Sequence, residues 1–169
     1  MTVLTASPHI HGGNSTRVIM RDVLIALLPA AIFSIFLFSW AAVSVLFVAI
    51  VSCVAAEYVG NKLARKPITV QDLSAVVTAV LYAFCLPATT SWWAVMLGGF
   101  FAIGIVKILF GGIGCNIFNP ALAARAFLLA SYPIIMTTWT KPFDSVTMAT
   151  PLGALKEHLP MMYTLKKDL

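Results

Sequence analysis

Charge is what this chain has least of. Asp, Glu, Lys and Arg make up 10% of its 169 residues, where an ordinary soluble domain carries about 25%. None occurs from Val23 to Ala56 or from Leu73 to Val106. The deficit is too large for a single buried core, which excludes a soluble globular domain and leaves an integral membrane protein. Alternation of polar and apolar residues is also missing from these runs, which excludes barrel strands and leaves helices. Cysteine is scarce, and Cys53, Cys85 and Cys115 show no C-x-x-C spacing. Cys53 and Cys85 lie in apolar runs, where a lone cysteine is a small packing residue. Cys115 sits in a Gly-rich turn, open to a partner or cofactor. His9, His11 and His158 have no ligand spacing, so no metal is assigned. Residues 1–16 lack a basic segment, and the first apolar run is expected to be a retained helix rather than a signal peptide.

What is present is apolar: 60% of the chain is hydrophobic and its mean hydropathy is +0.96. The net charge of +5 would suggest nucleic acid in a soluble protein. Here the cations gather at predicted helix ends and report orientation instead, so no nucleic-acid partner is expected.

The spacing predicts five helices, at about 21–40, 41–64, 72–86, 92–110 and 119–139. The 34 uncharged residues from Val23 to Ala56 are too many for one span of ~20 residues and read as a hairpin turning near Ser39-Trp40. Pro29 stands inside the first helix, where a kink is expected. The run Leu73–Leu86 is 14 residues long, about 21 Å of helix against a ~30 Å hydrocarbon core. Pro87 ends it, and Asp72 or Ser74 is a candidate cap for its start. The fifth helix begins at Pro120, a good first-turn residue, with Asn119 as its cap. Pro133 then interrupts it. Two short, proline-bounded helices among longer ones are a pattern that builds polar sites at membrane depth; helices that are simply tilted are the plainer alternative.

Arg17 and Arg21, then Lys62, Arg65 and Lys66, then Lys107 fall on one side if the N-terminus is cytoplasmic. The expected layout is a polar cytoplasmic N-terminus at 1–16, a transmembrane domain at 17–140 and an extracytoplasmic segment at 141–169.

Three groups of residues carry possible chemistry. The segment from Asp144 to Thr150 reads Asp-x-x-Thr-x-Ala-Thr. A side-chain phosphoester needs an accessible hydroxyl. Ala149 leaves Thr150 uncrowded, Pro151 favours an extended Thr150, and Asp144 and Thr147 are placed to engage a modifying enzyme or its metal ion. The plainer reading is an interfacial loop rich in Thr and Ser. Asn116 and Asn119 put two amides at the mouth of a short helix whose first N–H groups are free, a donor and acceptor set suited to a polar ring system. Capping and turn formation are the structural alternatives. Arg125, within the fifth helix, must be paired or face a polar cavity. An ion pair with Asp72 or Glu57 is the structural reading, and a cofactor contact the sharper one. Lys107 is expected to snorkel to the cytoplasmic interface.

Together these residues resemble the D subunits of Rnf complexes, the ion-translocating ferredoxin:NAD⁺ oxidoreductases, and more distantly the B subunits of Na⁺-translocating NADH:quinone reductases. The resemblance runs from Ser7-Pro8-His9 through Met20-Arg21-Asp22-Val23-Leu24, Lys66-Pro67-Ile68-Thr69 and the segment Asp72 to Thr78. It continues through Phe110-Gly111-Gly112, Asn116-Ile117-Phe118-Asn119-Pro120-Ala121-Leu122, Arg125-Ala126-Phe127 and Ala149-Thr150-Pro151-Leu152.

The resemblance implies FMN joined through a phosphoester to Thr150, installed outside the cytoplasm by a flavin transferase, and a non-covalent riboflavin at Asn116 and Asn119. It implies a ten-helix fold of two inverted five-helix repeats, similar to urea transporters, of which this all-α integral membrane chain is one half. It also implies an electron-transfer role in a multi-subunit complex of a bacterial or archaeal cytoplasmic membrane, moving Na⁺ or H⁺, with no complete catalytic site in this chain alone. Leu169 falls near the family's midpoint, so the second repeat is expected elsewhere or in a longer protein. Met148 stands where the commonest acceptor pattern has Gly, which is expected to lower flavin attachment. The competing reading is a channel or transporter half for a small polar solute, with Asn116, Asn119 and Arg125 lining its path.

Overall fold

The computed structural model describes residues 15–65 and 69–140, and the backbone of 147–148. Helix α1 spans Thr16–Phe38 and α2 spans Trp40–Leu63, joined only by Ser39. With one residue between them, the helices must fold back sharply. Ser39 takes φ 51° and ψ −133°, a conformation strained for a residue with a side chain. Helix α1 begins earlier than the charge pattern predicts, at Thr16, and runs through Pro29 without a break.

After a short 3₁₀ turn at Val70–Asp72, α3 covers Ser74–Phe84. Neither Asp72 nor Ser74 caps it, contrary to expectation. The cap position is Leu73, in the left-handed region at φ 61°, and it offers no side-chain bond. Ser74 is drawn into a polar cluster instead. Helix α4, Trp92–Phe100, passes directly into a π-helical segment, Phe101–Leu109. Such widening is rare and concentrates at functional sites. Helix α5 covers Pro120–Ser131, and Pro133 starts a separate short α6, Pro133–Thr137. Asn119 caps α5, its Oδ1 accepting from the Ala121 N–H at 3.0 Å. Strands β1 (Trp139–Thr140) and β2 (Thr147–Met148) pair antiparallel, Trp139 opposite Met148.

Helices α1, α2 and the continuous Trp92–Leu109 rod are long and apolar enough to cross a membrane, while α3 and α5 are shorter apolar helices. The core lies where α2, α3, the rod and α5 meet, built from small residues such as Ala49, Cys53, Ala79, Ala102 and Ala124 around Tyr82, Ile103 and Leu128. Close approach depends on Gly98 and Gly99. A Cβ on Gly98 would collide with the Tyr82 hydroxyl and Leu128, and one on Gly99 with the Ser52 hydroxyl. Phe101 and Phe127 stack between the rod and α5, with ring centroids 4.3 Å apart and planes within 5°. Helix α1 contributes no buried residue; its apolar side chains, Ile32, Phe33 and Phe36 among them, are exposed.

Candidate functional site

This apolar bundle carries two polar sites, one buried and one in an open cleft. The first lies at the end of the bundle where α1 begins and α2 ends. Glu57 and Asn61 lie one turn apart on α2, Ser74 starts α3, and Lys107 projects from the π segment. Lys107 Nζ donates to Glu57 Oε1 at 2.5 Å and to Ser74 Oγ at 2.7 Å. The Thr69 hydroxyl donates to the same Glu57 Oε1 at 3.0 Å, and Asn61 Nδ2 donates to Thr69 Oγ1 at 2.9 Å. Glu57 is 1% exposed and Lys107 3%. Glu57 Oε2 is buried without a hydrogen-bond partner among the described residues. A cleft of about 490 Å³ opens beside the pair, reached by Thr16, Asp72 and the Gly111-Gly112 turn.

This arrangement corrects two expectations. Lys107 does not snorkel to the interface; it turns inward and neutralises Glu57. Arg125 does not pair with Glu57, whose partner is Lys107, nor with Asp72, which lines the cleft beside that pair. Sequence reasoning missed the cluster because its members are far apart: Glu57 and Lys107 are separated by 50 positions. The available signal was a lone acid within an apolar run, which demands a cation somewhere.

The second site is made by the loop from Gly111 to Asn119, which takes positive φ at Gly111, Gly112 and Gly114. The loop folds back against Thr78 and Leu81, halfway along α3, forming a cleft of about 340 Å³ with Asn116, Asn119 and Pro120 in its wall. Helix α5 therefore starts beside the middle of a neighbouring helix rather than level with its end. The two asparagines do different things. Asn119 Oδ1 is used as the cap of α5, leaving its amide N–H groups for other work. Asn116 Oδ1 is buried with no partner among the described residues. A buried, unused acceptor is costly, and it suits a ligand with a ring N–H to donate. The donor set thus fits a flavin-type ring: one free acceptor on Asn116, and amide donors on Asn119. Arg125 does not line this cleft and forms no hydrogen bond or ion pair among the described residues.

Cys115 is exposed in the turn, Cys53 is buried and Cys85 half-buried. No group of three or more His, Cys, Asp or Glu with metal-binding proximity occurs among the described residues. Asp144, Ala149 and Thr150 lie outside the described residues. Of Thr147 only the backbone is described, in β2.

Apolar spanning helices, short proline-bounded helices and a charged pair buried between them define a multi-pass, all-α integral membrane protein. The chain belongs to the NQR2, RnfD, RnfE family, whose model matches residues 3–168. It is 52% identical over 155 residues to the D subunit of the Na⁺-translocating ferredoxin:NAD⁺ oxidoreductase complex of Acetobacterium woodii, covering 90% of this chain and 49% of that protein. It is 45% identical over 157 residues to the D subunit of the proton-translocating ferredoxin:NAD⁺ oxidoreductase complex of Clostridium ljungdahlii, covering 90% and 47%. Against the D subunit of the ion-translocating oxidoreductase complex of Shewanella amazonensis it is 36% identical over 197 residues, covering 98% and 57%. The chain spans about half the length of these curated relatives.

Proposed function

We propose that this chain belongs to the electron-carrying D subunit of an ion-translocating ferredoxin:NAD⁺ oxidoreductase complex, with FMN carried on Thr150 and a non-covalent riboflavin held at Asn116 and Asn119. Its partners are then the other subunits of the complex, a flavin transferase and the lipid bilayer, and its N-terminus is cytoplasmic with Thr150 on the far side. The observation that carries this reading is the unused buried acceptor of Asn116 beside Asn119 at the start of α5. Family membership supports it, since the matched residues include the whole Asp144-to-Thr150 motif.

Flavins supply electron transfer when bound; the protein's part is position and environment. The α5 cap holds Asn119, and the three positive-φ glycines of the loop bring Asn116 into the bundle. Asn116 and Asn119 would hold the ring system, Asn116 through its unused Oδ1 acceptor and Asn119 through its amide donors. Thr78 and Leu81 close the cleft from the α3 side. Thr150 offers its side-chain oxygen, Ala149 keeps the approach clear, and Asp144 and Thr147 engage the transferase or its metal ion.

Fluorescence of a denaturing gel band tests the covalent part after co-expression with the transferase. The band is expected to fluoresce in the parent and in Thr150→Ser, and to be dark in Thr150→Ala. A dark parent band, or fluorescence persisting in Thr150→Ala, overturns the assignment.

A further inference from the structure

One face of α2 leads from apolar residues to a cation. Val51, Val54, Ala55, Tyr58 and Lys62 stand at i, i+3, i+4, i+7 and i+11, and so share a single stripe of the helix. The first four, with Ile50, form one wall of an open cleft of about 670 Å³, and Val70 and Gln71 of the 3₁₀ turn form the other. Val51 and Tyr58 are 51% and 47% exposed.

Polar groups gather at one end of this groove. The Cα–Cβ bonds of a helix tilt towards its N-terminus, so the Lys62 side chain starts out over Tyr58. Arg65 follows just beyond the end of α2, and both cations are exposed and without an ion pair among the described residues. Tyr58 and Gln71 make no side-chain hydrogen bond among the described residues. The nearest carboxylates in sequence, Glu57 and Asp72, line the other cleft beside Lys107. From Val51 to Lys62 the helix covers about 16 Å, roughly half of a ~30 Å hydrocarbon core. The 24 residues of α2 make it about 36 Å long, which brings its last turn to the interface. The groove is thus one leaflet deep, apolar along its length and cationic at its mouth.

We propose that this groove binds one acyl chain of an anionic phospholipid, with Lys62 on the phosphate and Tyr58 and Gln71 donating to its oxygens. Basic residues at helix ends set orientation without any groove; here they close one of matching depth. An apolar helix packed on this face would leave the Gln71 amide and the Tyr58 hydroxyl without acceptors, whereas a phosphate accepts from both and from Lys62. The unneutralised charges of Lys62 and Arg65 select an anionic headgroup over a zwitterionic one. The inference rests on neither flavin.

The test is native mass spectrometry of the full-length protein, with everything it assembles with, purified in mild detergent. It is mixed with equal amounts of phosphatidylglycerol and phosphatidylcholine carrying the same chains. The parent is expected to retain phosphatidylglycerol about five-fold better than phosphatidylcholine. Lys62→Gln loses that preference and Lys62→Arg keeps it. Val54→Trp, which fills the groove and leaves every cation in place, loses the retained phosphatidylglycerol. Unchanged retention in both Lys62→Gln and Val54→Trp overturns the proposal, and is the result expected if a protein segment covers the groove. Loss in Lys62→Gln but not in Val54→Trp also overturns it, because the lysine then only attracts anionic lipid at the surface. Loss in Val54→Trp alone overturns the anionic headgroup. Displacement of the lipid by excess inorganic phosphate overturns the acyl-chain groove. Because the readout is bound lipid, a failure here leaves the gel-fluorescence assignment of Thr150 untouched.

Discussion

Lys107 Nζ lies 2.5 Å from Glu57 Oε1, both side chains sealed inside the bundle. The ammonium has a second acceptor in Ser74 Oγ, and the carboxylate a second donor in Thr69. The pair therefore ties α2, the start of α3 and the π segment together at one point. Its strength comes from mutual neutralisation, and its vulnerability from the same source.

Removing one partner should be far worse than removing both. Glu57→Gln or Lys107→Met is expected to cost about 3–5 kcal/mol, the penalty of an uncompensated buried charge. The double variant Glu57→Gln with Lys107→Met should recover most of that loss. Unfolding of the purified protein in mild detergent measures all three. Additive losses would show that the charges are solvated rather than paired.

Gly98 and Tyr82 form a second interlocking pair. Gly98→Ala should destabilise by about 1–3 kcal/mol through overpacking, since its methyl meets the Tyr82 hydroxyl. Tyr82→Phe removes that oxygen and its hydrogen bond to the Val95 carbonyl at 3.2 Å. Combined with Gly98→Ala it should cost less than the sum of the two single changes. A thermal-melt double-mutant cycle gives the coupling directly.

The two asparagines should separate cleanly. Asn119→Ala loses the α5 cap and about 1 kcal/mol of stability, whereas Asn119→Asp keeps the cap. Asn116→Leu removes an unused acceptor, so stability should hold or rise, while non-covalent flavin recovered by acid extraction falls. Undiminished riboflavin in Asn116→Leu would contradict the proposed site.

Ser39 is exposed, makes no capping bond and sits at positive φ. Ser39→Gly should stabilise the α1–α2 hairpin by about 1 kcal/mol, because glycine adopts this backbone conformation without steric strain. Ser39→Val should do the reverse. A shift of the melting midpoint in the same direction for both variants would count against backbone strain at this turn.

Much of this architecture is written plainly in the sequence. An uncharged run too long for one span forces a turn, and the turn falls at Ser39. Asn119-Pro120 announces a helix start because capping and proline tolerance are local effects. The π segment was not legible: an extra residue per turn leaves no compositional mark in a run as uniformly apolar as Phe101–Leu109 apart from Lys107. For the same reason Lys107 read as an interfacial lysine. Its inward direction depends on helix winding, and its partner lies on another helix. Leu73 at the head of α3 was hidden too, because left-handed leucine contradicts local preference and persists only under tertiary constraint. Arg125 reads as needing a partner, yet neither Glu57, which pairs with Lys107, nor Asp72, on the cleft beside that pair, meets it.

The widened winding after Phe100 makes helix pitch, and not only residue type, a determinant of the buried charge pair. Rewinding Phe101 to Lys107 as ordinary α-helix, with no residue removed, would turn each step by roughly 20° more and swing the lysine by about 100° around the helix axis. The ammonium would then point away from Glu57 with every side chain of the cluster still encoded. The wide turns thus aim the ammonium at the acid it must reach, a task that residue identity alone leaves undone.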